Sequence, residues 1–232
     1  MSVMDAVERI VAGGVIAIIR LPGPGDLLPA AEALREGGIT AIEFALTEPG
    51  AIQAIEAVRI RLRGSVLLGV GTVLSPEAAR DAIRAGAEFL VGPTLNPEVI
   101  RAGREAGVPV IPGAFTPTEI VQAWDSGASL VQVFPAGPIG PRYIKDLRGS
   151  LPHIALVPTG GVSLENVGAF IYAGAAAVGV GGELVSQDLL DRRAFREITD
   201  RAQEFVEAIR RARRAAPHAV PPIKPIEGPD IR

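Results

Sequence analysis

The chain contains no cysteine. Disulfides, thiolate metal sites and cysteine nucleophiles are therefore excluded. Lysine is almost as scarce: Lys145 and Lys224 are the only two of 23 cationic residues, and the rest are arginine. Histidine appears only as His153 and His218. No apolar run reaches the ~18 residues of a membrane span without a glycine or a charge, so no membrane partner is expected. The start of the chain lacks a basic stretch leading into an apolar core, which argues against a signal peptide. A soluble, cytoplasmic protein is the expectation. The net charge of −3 is too small to imply a polyanionic partner. Arg210, Arg211, Arg213 and Arg214 form a basic run, but it falls at a helix C-terminus, where cations are favoured in any case. That run is expected to be a solvated face and not a nucleic-acid site.

What is present is a recurring punctuation. A helix-like stretch ends in glycine, and a short β-branched run follows. Gly14, Gly38, Gly64, Gly86, Gly107, Gly127, Gly149 and Gly174 each precede such a run, at gaps of 24, 26, 22, 21, 20, 22 and 25 residues. Glycine suits a helix end because the residue after the last turn often takes a left-handed conformation. The runs are apolar on both faces, as parallel strands covered by helices are. Between them lie amphipathic stretches, several opened by a capping residue before proline: Ser75-Pro76, Asn96-Pro97 and Thr116-Pro117. Eight such units in 232 residues favour a (β/α)8 TIM barrel over an open doubly wound sheet. The barrel is assigned to residues 1–215 as a single domain. Met1–Ala12 is read as an extra helix closing the barrel bottom, and Arg192–Ala215 as the final helix. Residues 216–232 form a Pro-rich tail, with five prolines from Pro217 onward, expected to be extended or disordered.

Barrel chemistry sits where strands end and loops lead to the next helix. Those positions hold Arg20, Glu43 with Thr47, Gly71-Thr72, Gly92-Pro93-Thr94, Pro112-Gly113, Gln132 with Phe134, Thr159-Gly160-Gly161 and Gly181-Gly182-Glu183. The two last loops are glycine-rich and stand after strands seven and eight, a frequent phosphate site in barrels. Gly160, Gly161, Gly181 and Gly182 are the candidate anion-binding amides; the alternative is that these glycines only make tight turns. Glu43 lies in an otherwise apolar run. Burial at the mouth would raise its pKa and suit it to proton transfer; a salt bridge to Arg20 is the competing role. Gln132 has the matching place on strand six, where it is either a site residue or a polar lining residue bonded to its neighbours. His153 precedes strand seven, at the barrel bottom, and His218 is in the tail. No metal and no cofactor are expected.

The stretches AIEFALTEPGA, GVGTVL, FLVGPTLNPEVI, VPVIPGAFTPTEI, VFPAGPIGPRYIKDLRGSLPHIALVPTGGV and AAVGVGGELV together resemble the KDPG/KHG pyruvate-aldolase family, in order from about Gly14 to Val185. The resemblance implies a homotrimeric barrel lyase that cleaves a 2-keto-3-deoxy (phospho) sugar acid or 4-hydroxy-2-oxoglutarate and releases pyruvate. It makes Glu43 the proton-transfer residue and Thr72 a substrate contact, with Arg20, Thr47, Pro93, Phe134 and Thr159 lining the pocket and Gly160, Gly161, Gly181 and Gly182 holding phosphate. The family places a Schiff-base lysine two residues before Phe134. Here that position is Gln132, whose carboxamide nitrogen is not nucleophilic, so Schiff-base activity is expected to be lost or altered. A non-catalytic binder of a keto acid or sugar phosphate is the alternative, as is a paralogue using Glu43 and Glu183 for carboxylate or metal chemistry.

Overall fold

A computed structural model of the chain describes residues 2–20, 27–45 and 51–216, with backbone alone at 51–54 and 57. The tail beyond Ala216 and the loop holding Thr47 lie outside the described residues. Nine strands are present among them: β1 (Val15–Ile19), β2 (Ala41–Ala45), β3 (Leu67–Gly71), β4 (Phe89–Val91), β5 (Val110–Ile111), β6 (Gly113–Ala114), β7 (Val131–Val133), β8 (Leu156–Pro158) and β9 (Val178–Val180). They pair in parallel in the orders β5-β4-β3-β2-β1-β9 and β6-β7-β8. The helices are α1 (Val3–Gly13), α2 (Leu27–Glu36), α3 (Ala51–Leu62), α4 (Pro76–Arg84), α5 (Pro97–Glu105), α6 (Pro117–Asp125), α7 (Gly140–Ser150), α8 (Val167–Tyr172), α9 (Gln187–Asp191) and α10 (Phe195–Ala215). This is a curled, TIM-barrel-like α/β fold.

The fifth expected strand is divided at Pro112, which has no N–H to offer a ladder; its carbonyl still accepts from the Gln132 amide at 2.9 Å. Between β8 and β9 the ladder thins to one bridge, Thr159 to Gly179, with the Ala176 amide donating to Leu156 O at 2.9 Å.

Seven of the eight punctuating glycines have positive φ, from 67° at Gly107 to 100° at Gly174. Gly149 does not, and the reading of it as a helix stop was wrong. It lies inside α7, which runs on to Ser150 before Leu151 and Pro152. A residue before proline is pushed out of the helical region, so Pro152 ends this helix where glycine ends the others. The three proline-led caps stand as expected, with Ser75, Asn96 and Thr116 accepting from backbone amides of the first turn.

The strands and the residues flanking them feed two cores. Val15, Ala17, Ile42, Phe44, Leu68, Val70, Leu90, Val131, Val133, Leu156, Val178 and Val180 join the layer under the helices. The alternate residues Ile16, Ala41, Leu67, Phe89, Val91, Ile111, Leu130, Ala155, Val157 and Ala177 fill the interior, together with Ala6, Val7 and Ile10 of α1. The N-terminal helix therefore closes the bottom of the fold, as its apolar face requires.

Arginines staple that bottom. Arg59 of α3 lies over Gly86, Arg104 of α5 over Gly127, Arg148 of α7 over Gly174 and Arg213 of α10 over Gly14, each occupying the space a Cβ would need. Each of these four helices thus reaches the glycine turn beyond the next helix. Arg148 donates to the Pro152 and Ile154 carbonyls. Arg213 donates to Ala12 O at 2.6 Å, Ala176 O at 3.1 Å and Val11 O. In the basic run Arg210, Arg211 and Arg214 are exposed, as a solvated face would be, and the expectation is corrected at Arg213 alone: it is half-buried because α1 ends against it and offers unpaired carbonyls. A guanidinium with five donors serves several carbonyls at once, which an ammonium cannot do in one plane. Arg213→Ala is expected to cost roughly 2 kcal/mol or more, a fall of about 4–8 °C in a thermal melt. Arg213→Lys should recover only part of it.

Candidate active site

Side-chain alternation decides what faces the mouth. Ala41 is interior and Ile42 and Phe44 are not, so Glu43 points inward, one pleat nearer the mouth. Leu130 is interior while Val131 and Val133 are outside, so Gln132 points inward too. Thr159 follows the interior Val157 by the same rule.

The neighbouring inward positions on β3 and β9 are glycines, each filled by a larger partner. The Glu43 carboxylate occupies the space above Gly71, the Phe89 ring that above Gly69, and the Thr159 side chain that above Gly179. The Gln132 carboxamide donates from Nε2 to Gly92 O at 2.9 Å, just past the end of β4. Glu43 thus leans over the end of β3 and Gln132 over the end of β4. These strands are paired, so the two polar groups share one sector of the mouth.

Glu43 is 4% exposed. Burial pushes its pKa from the ordinary carboxyl range to about 7, and the Arg20 charge opposes the rise. Arg20 follows β1 and is exposed; the salt bridge to Glu43 weighed as its competing role is not formed, and the Arg20 charge acts on it only at longer range. Gln132 is 5% exposed, and its bond to Gly92 leaves one amide hydrogen and the carboxamide oxygen without a partner among the described residues. Thr72 takes φ 60°, a left-handed conformation that costs a threonine ~1–2 kcal/mol. Strain of this kind gathers at functional sites. Pro93 is half-buried, and its carbonyl sits where a Cβ on Gly113 would lie.

The glycine loops form a second group. Gly160 and Gly161 have φ 84° and 79°. The Phe134 ring packs on Gly160, and Gly161 lies against Gly137 with no room for a Cβ. The carbonyls of Thr159 and Gly160 accept from Ala136 and Gly137 amides at 2.8 and 2.7 Å. The amides of Gly160, Gly161, Gly181 and Gly182 donate to no acceptor among the described residues. Four free N–H groups on adjoining strand ends suit an anion. Sequence reasoning missed Asn166, which donates from Nδ2 to Gly161 O at 2.9 Å and accepts from the Ser163 amide at 2.9 Å. An asparagine just downstream of a double glycine was the available signal, since its side chain readily pins local backbone. Glu183 is exposed, and its backbone carbonyl accepts from Arg201 at 3.2 Å. Lys145 is exposed on α7, outside the mouth, as expected. No helix among the described residues is long and apolar enough to cross a membrane.

A TIM-barrel-like fold with a buried carboxyl and free loop amides at its strand ends places the chain in the class of α/β-barrel proteins with a polar site at the mouth. The sequence matches the KDPG and KHG aldolase family over residues 7–219, and the chain belongs to that family. It is 37% identical over 202 residues to the 2-dehydro-3-deoxy-6-phosphogalactonate aldolase of Escherichia coli (strain K12), spanning 85% of this chain and 95% of the relative. It is 33% identical over 201 residues to the 2-dehydro-3-deoxy-phosphogluconate aldolase of Pseudomonas aeruginosa, spanning 86% and 91%. Among solved structures it resembles the KDPG aldolase of Legionella pneumophila, captured with pyruvate as a covalent carbinolamine intermediate. That match has TM-score 0.80 and 30% identity, over 85% of this chain and 96% of the other.

Proposed function

We propose that the mouth receives a 2-keto-3-deoxy sugar-acid phosphate or 4-hydroxy-2-oxoglutarate, in the manner of a pyruvate-aldolase-family lyase. The observation that carries this reading is the placing of Glu43 and Gln132 over the ends of the paired strands β3 and β4, with four free glycine amides at the ends of β8 and β9. In this reading the phosphate, or the distal anionic group, rests on the amides of Gly160, Gly161, Gly181 and Gly182. The keto-acid end lies between Glu43 and Gln132, with Arg20, Thr47, Thr72, Pro93, Phe134 and Thr159 around it. Glu43, with a pKa near neutrality, exchanges a proton with the carbon next to the ketone. The supporting strand ring is read as one closed eight-membered barrel, with β5 and β6 counting as a single interrupted strand.

The chemistry of position 132 limits the reaction. A carboxamide forms no imine, so any carbon–carbon cleavage by the unmodified chain must proceed without covalent attachment there. Gln132 favours the second reading, a keto-acid or sugar-phosphate binder without turnover. Both readings require the anion site. Inorganic phosphate at millimolar concentration is expected to shift the amide NMR signals of Gly160, Gly161, Gly181 and Gly182, and Gly161→Ala, forced against Gly137, should abolish the shifts. Signals that stay still in the unmodified protein would remove the site. On the family resemblance we also propose a cytoplasmic homotrimer; light scattering at micromolar protein is expected to return a trimer mass, and a monomer mass would refute it.

A further inference from the structure

Gln132 is buried without being fully used. A carbonyl only accepts, so the atom 2.9 Å from Gly92 O is the carboxamide nitrogen. One N–H is engaged there. That bond fixes the carboxamide plane and so aims the second N–H, which has no acceptor among the described residues. Side chains buried this deeply seldom leave a donor idle. A held donor with nothing to bond is the arrangement that stabilises a developing oxyanion.

Its neighbour is Glu43, whose carboxyl fills the space above Gly71 and takes no hydrogen bond from a described residue. β3 and β4 pair with Gly69 opposite Phe89 and Val70 opposite Leu90. The same register sets Gly71 beside Val91, with Gly92 one residue further. At ~4.8 Å between strands and ~3.3 Å per residue, Gly71 and Gly92 are about 6 Å apart. The carboxyl over the first and the carboxamide bonded to the second are thus separated by a gap that one small carbonyl compound spans. Leu67, Phe89, Val91 and Ile111 make the adjoining interior apolar, which keeps water from that side and strengthens any charge interaction made there. Burial brings the carboxyl to about 7, so near neutral pH it is available both to take and to return a proton.

We propose that the unmodified chain enolises short 2-keto acids with no covalent bond to the protein, Glu43 taking a proton from C3 and the free N–H of Gln132 holding the ketone oxygen on C2. The inference rests on the keto-acid reading of the mouth. The C3–H bond breaks and its proton goes to the Glu43 carboxylate. Its electron pair forms the C2=C3 bond, and the carbonyl pair moves onto oxygen, where the Gln132 N–H stabilises it. Return of a proton from Glu43 to C3 restores the ketone. No other reactant is consumed and no carbon–carbon bond is cut. At position 132 a hydrogen-bond donor to the oxyanion thus stands in for an iminium as the acceptor of electrons.

Proton NMR of pyruvate in D2O tests this. With the unmodified protein the methyl signal is expected to fade faster than in buffer, as deuterium from solvent returns through Glu43 to C3. Glu43→Gln should slow that exchange by ~10²–10⁴-fold, and Gln132→Met, similar in length and without a donor, by ~10²–10³-fold, each down to the buffer rate at most. Borohydride should trap no adduct, and Lys145→Arg should leave exchange unchanged, which together exclude an imine route. A thermal melt shows that each variant is folded, and Gln132→Leu takes the place of Gln132→Met if that one is not. Saturation-transfer NMR on the same samples reports pyruvate binding independently. Binding with exchange at the buffer rate overturns the enolisation and leaves the keto-acid reading standing, whereas no binding overturns both. Exchange that survives Glu43→Gln or the loss of the Gln132 donor, or that comes with a trapped adduct, overturns the proposal by placing the chemistry on another group.

Discussion

Gln132→Lys is expected to gain a borohydride-trapped pyruvate adduct that the unmodified protein lacks. The trap needs a primary amine at the carbonyl carbon, and a carboxamide offers none. Position 132 is inward-facing and 5% exposed, within reach of the Gly92 carbonyl. An amine placed there would be desolvated, which lowers its pKa and makes the neutral nucleophile available. Glu43 remains over Gly71, where the proposed reading has it move the proton at the neighbouring carbon. Pyruvate release from a 2-keto-3-deoxy sugar-acid phosphate should rise by a factor on the order of 10³ over the unmodified protein, about 4 kcal/mol of barrier. Peptide mass spectrometry should map the adduct to position 132. Two results would count against this reading. An adduct in the unmodified chain at Lys145 or at the N-terminal amine would mean that the reactive amine lies elsewhere. A folded variant without adduct would mean that the pocket no longer accepts pyruvate, and the binding reading would then lead.

Much of the scaffold was legible because glycine and proline act locally. Seven left-handed glycines and three proline-led caps mark helix ends by backbone sterics alone, and these need no tertiary information. Gly149 failed as a marker because proline two residues after the helix end did the same work. The direction of Glu43 could be suspected from its apolar neighbours. Its lack of a direct partner could not, because that depends on where the exposed Arg20 side chain goes. The bond from Gln132 to Gly92 spans 40 residues, and nothing local encodes it. The arginine staples were hidden for the same reason. Arg213 looks like one member of a surface run, and its carbonyl partners come from the end of α1, 201 and 202 residues earlier, and from Ala176. Thr47 lies outside the described residues, so its place in the pocket rests on the resemblance alone.

Glu43→Gln is expected to stabilise the protein at alkaline pH while removing its proton-transfer capacity. The carboxyl has its pKa raised by burial from 4.5 to about 7, with Arg20 opposing. The folded state therefore holds this proton more tightly than the unfolded state does. Its stabilising contribution is fully present below the unfolded value and is lost as pH rises through the folded one. Above pH 7 the native protein keeps a buried carboxylate. At ~1.4 kcal/mol per pH unit, the interval from 4.5 to about 7 amounts to about 3 kcal/mol. A glutamine has the same shape and no charge at any pH, so the variant escapes that cost. Melting temperatures of the two proteins should coincide near pH 4 and separate to about 6–12 °C in favour of the variant near pH 8. A difference that stays flat with pH would mean that the carboxyl is solvated and titrates normally, and would remove the argument for a proton-transfer role. In the Gln132→Lys background, the same Glu43→Gln change should lower pyruvate release by ~10²–10⁴-fold and leave the borohydride adduct in place. In the proposed reading the amine forms the bond to the ketone, and the carboxyl moves the proton beside it. A charge that weakens the fold and is still held inward over a glycine is the kind of local cost a reaction site carries.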